Sequence, residues 1–347
     1  MSRARFREIC ERTLDERAMR VAVLAELRRL VPFDANAWLL TDPETEVGTS
    51  PVADIPSLER LPTVIRAKYL TARNRWTGLR AGEVRTLAGE PVPRGERDDL
   101  WSVAGEDGAT DIASTVLRDP YGCWGFLDVW RIDGTFGDAD REVLAELAGV
   151  VTPALRAAMA ETFTSPPSTA PRPHAPAVVL LSDDLRMLTR TEQADADLRA
   201  VLPTEEDRAP VPASALNVAA QLLANEAGVD DHPPTARVHL GGGRWCTFGA
   251  ARLGGSRADA ATIAVSIEPI APPERTTLYA RTIGLTARET DVLRELVRGS
   301  DTRVVADRLF VSPNTVQDHL KSVFAKAGVR TRPALVARAS GAAGPTD

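Results

Sequence analysis

"LFVSPNTVQDHLKSVFAKAG", residues 309–328, carries a helix start, an apolar stripe and a polar stripe beside it. Ser312 suits an N-cap, because its hydroxyl accepts from a free backbone N–H, and Pro313 suits the first helical position, where no N–H is required. Val316, Leu320, Val323, Phe324 and Ala327 then recur at helical spacing, so that face goes to a core. Asn314, Gln317, Asp318, Lys321 and Ala325 fall together on the opposite face. The four polar side chains are of the kind that hydrogen-bond base edges, which suits a major groove; on an isolated amphipathic helix the same face would be an ordinary solvated surface.

The neighbouring sequence favours the groove. Thr286-Ala-Arg-Glu289 has the form of a capping box, and Val292, Leu293, Leu296 and Val297 make an apolar stripe that stops at Gly299, a residue suited to a left-handed cap. A second short helix is expected over 302–309 with Val304, Val305, Ala306 and Leu309 inward, and only Phe310 and Val311 separate it from Ser312. Two helices so joined read as a helix-turn-helix, whose second helix leads into the major groove with its N-terminal turns.

Residues 285–339, "LTARETDVLRELVRGSDTRVVADRLFVSPNTVQDHLKSVFAKAGVRTRPALVARA", resemble the LuxR-type (NarL/FixJ/GerE-like) DNA-binding domain. The likeness rests on Leu285-Thr-x-Arg-Glu289, Gly299, Val305-Ala306, Leu309, Ser312-x-x-Thr315-Val316, His319, Lys326-x-Gly328-Val329 and Arg332. It implies a four-helix domain whose last helix, from about 332 to 340, mediates dimerisation. It also implies that Arg303, Thr315, Lys326, Arg330 and Arg332 contact phosphates, while Asn314, Gln317, Asp318 and Lys321 face bases. Gln317 stands where the family often has a basic residue and Asp318 where it has a small or apolar one, so the family's operators do not transfer directly.

The chain has 347 residues, 44% of them hydrophobic, enough for two or three domains with their own cores. No run of eighteen apolar residues occurs and the N-terminus is charged, from which we expect a cytoplasmic protein without a membrane role. Cys10, Cys123 and Cys246 lie too far apart for a short zinc motif, and buried free thiols are expected. The net charge of −6 divides unevenly: residues 285–340 hold ten Lys/Arg against six Asp/Glu, a net of +4, which leaves −10 for the rest. A basic module beside an acidic remainder favours DNA on the module alone.

"TSPPSTAPRPHAPA", beginning at residue 164, reads as a linker, giving domains over 1–163, a Pro-rich stretch at 164–176, a third segment over 177–275 and the DNA-binding module over 276–347. In the first segment an opening helix with Ile9, Val21, Val23, Leu24, Leu27 and Leu30 inward precedes a strand "ANAWLLT" and a helix near 57–71. A hairpin "DIASTVLRD"/"CWGFLDVWRI" around an Asp-Pro-Tyr-Gly turn and a long helix from Asp138 close it. This α+β order resembles a GAF-type domain. The segment from 177, with "AVVLLSDDLRMLTRT", a helix over "ALNVAAQLLANE" and strands joined by glycine turns, resembles a PAS-type α+β domain. Trp76 and Trp101 lack the accompanying spacing of the acyl-homoserine-lactone receptors, and we read them as core or pocket-wall aromatics.

Other chemistries fare worse. Asp183-Asp184 invites a phospho-receiver reading, but residues 177–284 contain no lysine, and a polar turn accounts for the pair. Gly241-Gly242-Gly243 is not followed by a P-loop Lys-Ser/Thr and reads as a strand turn. His174, His232, His239 and His319 show no metal or triad spacing, so no enzyme, cofactor or metal is expected. A sigma-factor-like polymerase subunit shares the helix-turn-helix but lacks the mixed N-terminal half and the fourth helix. The expectation is therefore a homodimeric regulator of double-stranded DNA, with RNA polymerase and an unknown small molecule as further partners.

Overall fold

In the computed structural model, residues 2–12, 15–89, 99–164, 175–203, 208–254 and 262–341 are described below. The linker expected at 164–176 lies largely outside them, as does His174. The chain forms two compact units. The first takes in 1–155, 173–238 and 247–268; the second takes in 156–172, 239–246 and 269–347.

The first unit begins with α1 (Ser2–Arg12), α2 (Glu16–Leu30), β1 (Ala35–Thr41), β2 (Gly48–Asp54) and α3 (Leu61–Leu70). A 3-10 turn (Trp76–Gly78), β3 (Val84–Thr86), α4 (Asp99–Glu106), β4 (Asp111–Asp119), β5 (Gly122–Arg131) and α5 (Asp138–Glu161) follow. The five strands form one sheet in the order β2-β1-β5-β4-β3. The expected hairpin is β4–β5, with Asp119 opposite Gly122 and Asp111 opposite Arg131. Central β5 is buried without interruption from Cys123 to Trp130, as a strand covered on both faces must be. β2 contains Pro51, which an edge strand tolerates because its missing N–H faces no partner.

Of the apolar face that periodicity selects for the opening helical stretch, Val23, Leu24 and Leu27 are buried, while two positions turn outward. Val21 is 51% exposed and Leu30 38%, whereas Arg20 is fully buried. The Arg20 guanidinium donates to the backbone oxygens of Trp38 at 3.1 Å and Ser50 at 2.8 Å and pairs with Glu16, so Met19, Arg20, Val23, Leu24 and Leu27 make the inner face. α5 has the length and composition to cross a membrane, yet Leu144, Leu147, Ala148, Val151 and Leu155 are buried in protein.

Next along the chain come β6 (Val178–Ser182), β7 (Met187–Arg190), α6 (Glu192–Val201), α7 (Ala213–Glu226), β8 (Thr235–His239), β9 (Trp245–Arg252) and β10 (Thr262–Pro269). Their sheet runs β7-β6-β10-β9-β8, so both sheets place their strands in the same order: second, first, fifth, fourth, third. Asp183 and Asp184 sit in the turn between β6 and β7, and Gly241, Gly242 and Gly243 turn the chain between β8 and β9, all three at positive φ. Within the unit, Asp42 and Arg237 form a buried pair: Nε to Oδ2 is 2.6 Å and Nη2 to Oδ1 is 2.5 Å. Burial works against the Asp42 carboxylate, but the Arg237 charge and hydrogen bonds leave its pKa below the ordinary value. Cys123 and Cys246 are buried and Cys10 is partly so.

The second unit contains α8 (Pro272–Thr282), α9 (Ala287–Val297), α10 (Thr302–Leu309), α11 (Pro313–Ala327) and α12 (Arg332–Ser340). Position 276, the expected start of the module, lies inside α8, because no breaker interrupts that helix between Pro273 and Gly284. Polar Arg275, Thr276 and Thr282 are buried on it, so its sequence shows little apolar periodicity. In the same unit Phe163 stacks on Trp245 at 5.1 Å and meets Tyr279 at 5.2 Å, with the Arg275 guanidinium 4.7 Å above its ring.

Candidate nucleic-acid interface

α9, α10 and α11 are each capped by the side chain that precedes them. The Thr286–Glu289 capping box closes in both directions, Asp301 accepts from Arg303 N and Val304 N at 2.9 Å, and Ser312 accepts from Thr315 N at 3.1 Å. α11 ends on Gly328 at φ 62°, a left-handed cap that leaves its last carbonyls satisfied. The turn between α10 and α11 is tight because Phe310 adopts φ 54°, ψ 46°, and Val311 N reaches back to Ala306 O at 3.0 Å.

Packing fixes which faces remain. Val316, Leu320, Val323 and Ala327 of α11 are buried with Val305 and Ala306 of α10 and Val292, Leu293 and Leu296 of α9. Val304 was expected inward and is instead 37% exposed, since the two buried positions on this short helix are the next two. Asn314, Gln317, Asp318, Lys321 and Ala325 are all exposed along the other side of α11.

Two buried carboxylates of α9 hold α10 and α11. Glu295 accepts from Arg308 of α10 at 2.6 Å, and from Ser300 at 2.9 Å and Arg298 at 2.6 Å. The Arg308 bond leads in holding its pKa below the ordinary value. Glu289 accepts from Lys326 at 2.6 Å and Ser322 at 2.5 Å, both on α11, and from Thr286 N at 2.7 Å. Burial raises the Glu289 pKa, but the bonds from Lys326, Ser322 and Thr286 outweigh it and hold the group at about 2. α9 thereby ties down both of its neighbours through charge-assisted bonds.

The residues expected at phosphates divide by their partners. Arg303 and Arg330 are exposed and form no ion pair among the described residues. The Thr315 hydroxyl shares a hydrogen bond with Ser312 at 2.9 Å, and Arg332 donates to the backbone oxygen of Ser300. Lys326 gives its ammonium to Glu289, so its first role is to fasten α11. Among the residues expected at bases, Lys321 pairs with Asp318 at 3.2 Å, with both side chains three-quarters exposed or more, and Gln317 reaches Thr302 Oγ1 at 3.4 Å. Glu295, Arg308 and Ser322 are not singled out by sequence reasoning, because the Glu295–Arg308 and Ser322–Glu289 bonds join different helices.

Residues 284–339 match the family described as bacterial regulatory proteins, luxR family. HTH-type transcriptional regulators of Mycobacterium bovis and Mycobacterium tuberculosis are 48% identical over 56 residues, 16% of this chain and 6% of their own length. The transcriptional regulatory protein NarL of Mycobacterium tuberculosis is 40% identical over 55 residues, 16% of this chain and 26% of its own. This chain thus spans a small part of the curated relatives it matches. Among solved structures, SdiA in complex with octanoyl-rac-glycerol aligns over 98% of this chain and 93% of its own at 14% identity, with a TM-score of 0.31, below the level of a shared fold.

Proposed function

Because residues 284–339 form a LuxR-family helix-turn-helix domain, we propose that the chain is a sequence-specific transcriptional regulator acting from the cytoplasm on double-stranded DNA as a homodimer. The observation that carries this reading is the exposed polar stripe of α11, presented on a helix whose opposite face and both ends are fixed by packing, capping and the Glu289–Lys326 pair. Asn314, Gln317, Asp318 and Lys321 read base edges; Arg303 and Arg330, aided by Thr315, Lys326 and Arg332, hold phosphates. Helix α12, which a sigma-like subunit would lack, favours a regulator over a polymerase subunit and supplies the dimer surface.

The two α+β sheets ahead of the module, with the same strand order, support the reading of residues 1–163 and 177–275 as GAF-like and PAS-like sensor domains that set how well the dimer docks. RNA polymerase is the downstream partner. Genome-wide mapping of DNA bound by the full chain tests the function: discrete sites sharing one motif are expected, and a profile indistinguishable from that of the untagged strain contradicts it.

A further inference from the structure

The first unit contains a partly open cavity of about 210 Å³ whose wall is mostly apolar, with Leu39, Ile65, Leu100 and Trp130 among its lining residues. Two of its three charged groups, Lys68 and Asp128, are already paired with each other. Lys68 Nζ donates to Asn74 O at 2.7 Å and Ser114 Oγ at 2.8 Å and pairs with Asp128 at 3.2 Å, while Asp128 also accepts from Trp76 Nε1 at 2.8 Å and from Ser114. Three donor directions of the ammonium are thereby used. Lys68 thus has no donor left for a ligand carboxylate, and the third charged group of the lining, exposed Arg17, donates to the backbone oxygen of Pro51 at 3.2 Å.

Asn217 of α7 behaves differently. It lines the cavity, is fully buried, and neither its Nδ2 nor its Oδ1 has a hydrogen-bond partner among the described residues. Trp130 Nε1, another lining residue, is likewise buried without a partner among the described residues. Gly48 makes room for the amide: a Cβ there would stand 3.3 Å from Asn217 Nδ2 and 2.5 Å from Leu39 Cδ2. A buried primary amide offers one donor and one acceptor side by side, and leaving both unmade is costly. The group that satisfies both at once is another amide with its N–H and C=O on the same edge.

We propose that this cavity is a binding site for a small uncharged amide, a primary carboxamide or lactam carried on an apolar body, held by a two-point hydrogen bond to Asn217. The size limits the body. A cavity of about 150 Å³ holds benzene, so one of about 210 Å³ admits a six-membered ring with one short substituent. The proposal rests on the sensor reading of the N-terminal domains and gives it a ligand class.

Isothermal titration calorimetry of the full chain without DNA, using benzamide, toluene and benzoate, tests it apart from the DNA reading. Benzamide should bind at least tenfold more tightly than either of the others. Asn217→Leu, which puts an apolar group of similar size in place of the amide, should weaken benzamide at least tenfold while leaving toluene binding equal or tighter, and should not lower the melting temperature of the ligand-free protein. Equal binding of all three, preference for benzoate, no binding of benzamide at millimolar concentration, or an Asn217→Leu variant that keeps the benzamide affinity would each overturn the assignment. If Asn217→Leu does not fold, the three titrations of the unchanged protein decide alone. Duplex binding measured separately tells a failed ligand assignment from a failed DNA reading.

Discussion

Lys326 Nζ stands 2.6 Å from Glu289 Oε2, joining the last turn of α11 to the first turn of α9. The carboxylate is almost wholly buried and its partner about a third exposed. The angle at which the polar stripe leaves the domain therefore depends on an ion pair between residues 37 positions apart.

This pair should give the protein an acid-sensitive step. Glu289 is held at about 2 against an ordinary 4.5, so its contribution is present above about 4.5 and is lost as pH falls toward about 2. The gap corresponds to ~3 kcal/mol. Glu289→Gln should lower the melting temperature at pH 7, and the difference from the unchanged protein should shrink as melts are repeated down to pH 3. A difference that stays constant with pH would remove the ion pair as its cause.

Arg303 and Lys326, both expected at phosphates, should now separate. Replacing exposed Arg303 by Ala should weaken binding to specific and random duplexes alike and reduce the slope of log K against log salt by ~0.9, with no change in melting. Lys326→Ala should lower the melting temperature first, because it leaves buried Glu289 without its cation. Equal melting curves for the two variants would contradict this division.

Asp318 pairs with Lys321 at 3.2 Å on an exposed surface, an interaction worth ~0.2–1 kcal/mol to the fold. Asp318→Ala should therefore leave stability nearly unchanged. Facing DNA, the carboxylate repels phosphates wherever it finds no amino donor, so the variant should bind random duplex more tightly. It should also lose roughly 1–3 kcal/mol of base discrimination at one operator position. Titration of matched duplexes that differ at single positions measures both; unchanged discrimination at every position would take Asp318 off the reading face.

Phe310 is 92% exposed and holds φ 54° in the turn before α11. A left-handed conformation costs a residue with a Cβ ~1–2 kcal/mol that glycine does not incur. Phe310→Gly should raise stability by roughly 0.5–1 kcal/mol after the greater freedom of the unfolded glycine is subtracted. Denaturant titration at neutral pH reads the change, and a loss of stability would show that the Phe310 ring packs more than its exposure indicates.

The helix-turn-helix was legible because its signals are local: Ser312 before Pro313, Thr286 three residues before Glu289, and an apolar stripe with one period. β4, β5 and α5 were legible for the same reason. What could not be read was polar burial. Arg20 faces inward because two strand carbonyls await it, α8 buries Arg275 and Thr276, and Asn217 sits fully buried on a helix whose sequence suggests an ordinary polar face. β2 escaped notice because Pro51 breaks its pattern, and its edge position, which tolerates the proline, is a property of the assembled sheet. At the interface, the exposed face of α11 was visible in the spacing, while the engagement of Lys326 by Glu289 required the third dimension.

The central claim is that α11 reads sequence. Selection from a randomised duplex library, run with the full chain and with a variant carrying Asn314→Ala, Gln317→Ala and Lys321→Ala, tests it most directly. The unchanged protein should enrich a motif with partial two-fold symmetry, and the variant should still bind duplex but lose base preference within each half-site. No enrichment by the unchanged protein, or the same motif from both proteins, would contradict the account.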